Sequence, residues 1–171
     1  MDHGLAKAIN SPADYTSDFT FKVSSLCARL HQVIGVECEH RSDMNYRAGQ
    51  SIDLQFIIPP TLDDLSCANV KLTIFVSSKG PYYTYIFRRL ASPAINFARI
   101  GLPQPKHVWS RAGSDVALTL VHYTSIIDSI MSSDSYQRLD ESKLGEIAEG
   151  QFARMDDAPA TLFEVLFSEV E

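Results

Sequence analysis

The chain has 171 residues, 45% hydrophobic, 21% charged and 10% aromatic, with a net charge of −6. That length and mixture predict one globular domain and exclude disordered and collagen-like chains. The longest apolar run, residues 52–60, carries Asp53 and Gln55 and is far shorter than the roughly 20 residues that cross a bilayer. The amino terminus shows no basic stretch followed by an apolar one, and three cysteines cannot complete a disulfide framework; both predict a cytoplasmic protein.

Charge is unevenly placed. Residues 1–110 carry 11 basic and 9 acidic side chains, whereas residues 111–171 carry 4 and 12. An acidic balance argues against nucleic acid, whose phosphates are held by clustered Lys and Arg, and against anionic membranes. It suits a basic protein partner instead, because summed surface charge steers encounter. The plain alternative is that these acids solvate the outer faces of helices.

Residues 1–17 show no clear period around Gly4 and Pro12 and read as a loosely ordered lead-in. Phe19, Val23, Leu26, Cys27, Leu30, Val33 and Ile34 then recur at helical steps, with Ser17 or Asp18 to cap the start and Gly35 to end the helix. Residues 36–41 alternate as a short strand. Ile52, Leu54, Phe56 and Ile58 form a second, stopped by Pro59-Pro60, and Val70, Leu72, Ile74 and Val76 a third. Ser78-Lys79-Gly80-Pro81 is a turn signal, after which residues 82–90 return as a fourth strand. These segments predict an antiparallel sheet with one face on the core.

Residues 91–113, rich in Pro and Gly, read as a long connection. Residues 116–123 fit a strand by composition, but Val116, Leu120, Tyr123, Ile127 and Ile130 fit a helix by spacing, and the helix is preferred. Leu144, Ile147, Ala148, Phe152 and Met155 predict another helix, broken at Asp156-Asp157-Ala158-Pro159. Residues 160–171 predict a last helix, apolar around much of its circumference. The fold class is therefore α+β: an N-terminal helix on an antiparallel sheet of about four strands, followed by C-terminal helices.

Catalytic signatures are missing. There is no Gly-x-Ser-x-Gly elbow, phosphate-binding glycine loop, dinucleotide fingerprint or His-Glu-x-x-His pair, so no catalytic residue, cofactor or metal is assigned. Cys27, His31, Cys38 and His40 have the side chains zinc prefers, but without a Cys-x-x-Cys pair they read as a buried cysteine and satisfied histidines. Ser110-Arg111-Ala112-Gly113-Ser114 resembles an anion loop before a helix, and capping chemistry explains it as well.

Two surfaces stand out. One is acidic: Glu141, Glu146, Glu149, Asp156 and Asp157. The other is the fourth strand, where Tyr82, Tyr83 and Tyr85 lie near Arg88, a composition common at binding hot spots and equally at home in a strand core. Phe167 lies on the apolar last helix, which is either buried within its own domain or in contact with a partner or a second copy of the chain. A small acidic α+β protein without catalytic motifs has the outline of many bacterial binding proteins, such as immunity proteins, inhibitors and secretion chaperones, an analogy of class rather than motif. The sequence thus predicts a protein-binding module; the alternative is an enzyme or small-ligand site under the 91–113 connection, built from His107, Arg111, His122 and Asp115.

Overall fold

The computed structural model describes residues 3–42, 48–58, 68–90, 113–152 and 158–168, and side chains throughout these except at 57–58, 68–70, 88–90 and 113–120. Its centre is a sheet of β1 (Cys38–Arg41), β2 (Gly49–Ile58), β3 (Ala68–Ser77), β4 (Tyr82–Leu90) and β5 (Gln137–Arg138), in that order. The first four strands pair antiparallel, as their hairpin-like spacing predicts. β5 joins β4 in parallel, which the sequence reading missed because two residues carry no period.

Register decides which side chains share a face. Leu54, Leu72 and Phe87 stand in one row and Ile52, Ile74 and Tyr85 in the next. Against these rows pack α2 (Ser17–Ile34), through Phe19, Val23, Leu26 and Leu30, and α3 (Gly113–Ser133), through Ile127 and Met131. The expected helix over residues 19–34 is thus present. Its cap is Thr16, whose Oγ1 accepts from the Phe19 N–H at 3.4 Å, rather than Ser17 or Asp18. Gly35 closes it in the left-handed region at φ 75°, its N–H on the His31 carbonyl. The preference for helix over residues 116–130 also holds.

The opposite face is covered too, against the expectation of one core face. A second cluster gathers Leu5, Ala8 and Ile9 of α1 (His3–Asn10) and Tyr82 of β4. Leu139, Ala148, Ala160, Leu144 of α4 (Glu141–Leu144) and Leu162, Val165, Leu166 and Phe167 of α5 (Leu162–Phe167) complete it. Within the lead-in, where no period was read, Leu5, Ala8 and Ile9 are spaced three and four apart and bury one stripe of the helix His3–Asn10.

The C-terminal third departs most from expectation. The helix expected across 144–155 is one turn, α4, followed by strand β6 (Ile147–Phe152), which pairs with β7 (Pro159–Thr161). Gly150 sits at φ 76° where the pairing shifts, a backbone state a helix cannot hold. The last helix is likewise only six residues long. Thr161 and Glu164 form a reciprocal capping box, Glu164 Oε2 accepting from the Thr161 N–H at 2.7 Å, and this starts the helix after a strand. Among the described residues no helix is long and apolar enough to cross a membrane.

Candidate functional site

The acidic candidates divide by their surroundings. Asp140 precedes α4 and Glu141 opens it, half-buried, so that burial holds the Glu141 carboxyl above its ordinary range. Glu146 and Glu149 are exposed and, among the described residues, make no ion pair. Other acids of this third are neutralised locally. Asp134 takes Arg29 at 2.8 Å, and Arg138 bridges Asp128 at 2.8 Å and Asp140 at 3.3 Å. Asp156 and Asp157 lie outside the described residues.

Between these two carboxylates stands Ile147, 52% exposed, and Phe152 at the end of the same strand is 55% exposed. Ala148 between them is fully buried, because strand geometry sends alternate side chains to opposite faces. The sequence reading placed Ile147 and Phe152 on a buried helical stripe. The strand instead leaves both exposed, Ile147 by alternation against Ala148 and Phe152 beyond the register shift at Gly150, so the exposure of Ile147 beside Glu146 and Glu149 was missed. The signal that could have shown it is the pair of glycines, Gly145 and Gly150, bracketing the segment.

The tyrosine candidates behave differently. Tyr82 and Tyr83 are buried, one in each core cluster, and Tyr85 is half-buried. Their placement fits the strand-core reading of these tyrosines rather than the hot-spot one, since neighbouring strand residues point to opposite faces and both faces here are covered. Arg88 lies on β4 opposite Lys71, and its side chain is not among those described. Phe167 is 2% exposed and packed within its own chain, so the terminal helix needs no second copy to cover it. Its apolar circumference is explained by enclosure between α1, β3 and the β6–β7 hairpin.

Tyr83, Tyr85, Asp128 and Arg138 form a network that spacing did not reveal. The Tyr83 hydroxyl donates to Asp128 Oδ1 at 2.7 Å, and Arg138 donates to Asp128 Oδ2 at 2.8 Å and to the Tyr85 hydroxyl at 2.6 Å. Burial raises both phenol pKa values, with Asp128 adding to the effect by holding a nearby negative charge. This arrangement keeps both phenols protonated and ties α3 to β4 and β5. A further charge group, also unforeseen and centred on a buried carboxylate, is Asp53 of β2, 3% exposed, which receives Lys71 at 2.6 Å, Arg41 at 2.7 Å and the Thr73 hydroxyl at 2.7 Å.

The metal-type residues are occupied by local bonds. The His31 ring donates through Nδ1 to the Val36 carbonyl at 2.7 Å, and His40 donates through Nε2 to Gln50 Oε1 at 2.7 Å. Burial, with Cys27 nearby, pushes the Cys38 thiol up to about 12, away from the thiolate a metal requires. Of the alternative ligand site, His122 is exposed on α3 beside Tyr123, and Asp115 lies on the same helix. His107 and Arg111, and the anion-type loop except its last two residues, fall outside the described residues. Comparison with protein-family models, with curated proteins and with solved structures finds no match to this chain, so the functional reading rests on its own residues.

Proposed function

We propose that the protein is a non-enzymatic binding module that engages a basic protein through the acidic surface of α4 and β6, in the manner of small inhibitor, immunity or chaperone proteins. The observation that supports this is the exposed Ile147 flanked by Glu146 and Glu149, with no cation paired to either carboxylate among the described residues. Interfaces commonly combine an apolar centre with a polar margin, and unpaired surface charge accelerates encounter with an opposite charge. Ile147 supplies contact area; Glu146 and Glu149, with Glu141 behind them, supply steering.

The test uses affinity purification from the source cells followed by association kinetics with the retained partner. The reading expects a stoichiometric basic protein. Replacing Glu141, Glu146 and Glu149 together with Gln should slow its association about tenfold at low salt, with the two rates converging at high salt. Ile147→Ser should act on dissociation instead. Association that is the same for both proteins at low salt removes the reading.

A further inference from the structure

A cleft lies where the α1–α2 connection crosses the β3–β4 turn. The crossing is fixed by hydrogen bonds: the Asp14 N–H donates to Ser78 Oγ at 3.2 Å, and Ser78 Oγ donates to the Ala48 carbonyl at 2.8 Å. The cleft has a volume of about 410 Å³ and opens to solvent, with Ile9, Pro12, Tyr15, Lys79 and Gln151 on its walls. Small-molecule sites have volumes of roughly 300 to 1,000 Å³.

The chemistry centres on Lys79. Its ammonium donates to the Ile9 carbonyl at 2.8 Å, which closes the C-terminal end of α1. An ammonium has three donors, so two have no protein partner among the described residues. No carboxylate lies within ion-pair distance of it among those residues either. Burial lowers its pKa. A half-buried cation with no counter-ion among the described residues bears a desolvation cost that an entering anion would relieve. Beside it, Ile9 and Pro12 are apolar, and the ring of Tyr15, 58% exposed, stands at the rim.

We propose that this cleft binds a small organic anion, its carboxylate on Lys79 and its compact apolar body against Tyr15, Pro12 and Ile9. The helix-closing bond does not account for these features, since one N–H suffices for it and neither the volume nor the aromatic rim contributes to it.

Amide-resolved NMR titration of the full chain with benzoate, benzamide and inorganic phosphate tests the proposal. Benzoate should bind saturably and shift Tyr15, Lys79 and Gln151. Benzamide and phosphate should bind at least about tenfold more weakly, the first lacking charge and the second the apolar body. Lys79→Gln should raise the benzoate Kd at least about tenfold, while Lys79→Arg stays within about threefold. Should Lys79→Gln loosen α1, Tyr15→Ala leaves the helix end untouched and should still weaken benzoate several-fold. The proposal is overturned by the absence of saturable shifts, by benzamide or phosphate matching benzoate, or by benzoate binding that ignores Tyr15→Ala or a folded Lys79→Gln.

Discussion

At the scale of single residues, the most telling groups are those whose protons are held by burial. Tyr83, Tyr85 and Tyr136 have raised phenol pKa values, and Cys27 and Cys38 raised thiol values, all chiefly because burial disfavours the anion. A folded pKa above its unfolded counterpart adds stability that is fully present below the unfolded pKa and lost as pH rises. The unfolded values are close to 9.0 for the thiols and 10.0 for the phenols. Stability should therefore be level through neutral pH and fall steadily above about pH 9. Tyr83→Phe should cost about 1.5 to 3 kcal/mol at pH 7, because the hydroxyl bonded to Asp128 is lost. It should also flatten the alkaline decline. Urea denaturation of both proteins between pH 7 and 11 measures the two effects together, and an alkaline slope unchanged in the variant would show that Tyr83 ionises freely.

Elements are set by where a short local signal meets a backbone constraint. Gly35 ends α2 in the left-handed region with open space around it, so a methyl group there meets backbone strain and no neighbour. Gly145, which follows α4, has ordinary right-handed angles at φ −84° and open space as well. Gly35→Ala should therefore lower stability by about 1 to 2 kcal/mol. Gly145→Ala should be neutral or stabilising by up to about 1 kcal/mol, since it restricts the unfolded chain. Chemical denaturation of the pair separates conformational strain from packing. The same local logic explains the misread segment: the apolar spacing from Leu144 to Phe152 fits a helix, yet Gly150 at φ 76° and the strand partner β7 override it.

For the whole molecule, the decisive feature is that helices cover both faces of one sheet. α2 and α3 close one side, and α1 with α5 and the β6–β7 hairpin close much of the other. Phe163 meets Phe75 edge to face at 5.2 Å, joining α5 to β3, and Phe167 lies deeper in the same cluster. Phe167→Glu should consequently unfold the protein, as burying an unpaired carboxylate costs more than a domain of this size can absorb. Circular dichroism and sedimentation distinguish this from the outcome for a subunit contact, which is a folded monomer replacing a dimer. A folded variant would mean that the second cluster does not hold α5.

What the sequence by itself determined is the set of segments with long, unbroken period, α2 and strands β2 to β4 with their antiparallel order, hence the α+β class, while α3 was preferred as a helix over a strand of similar composition. Their apolar spacing is strong enough that local preference and global packing agree. Only the tertiary structure decided the rest. Whether Tyr82, Tyr83 and Phe167 face a partner or the interior depends on a second layer over the sheet, which no strand period reveals. The polar groups Asp53 with Lys71 and Asp128 with Arg138 come from residues 18 and 10 apart in sequence, brought together by strand register and by β5 adding to β4. Likewise Ile147 and Phe152 are exposed because Gly150 and β7 make that segment an irregular strand: alternation turns Ile147 away from the buried Ala148, and the register shift at Gly150 lets Phe152, five residues on, reach solvent as well.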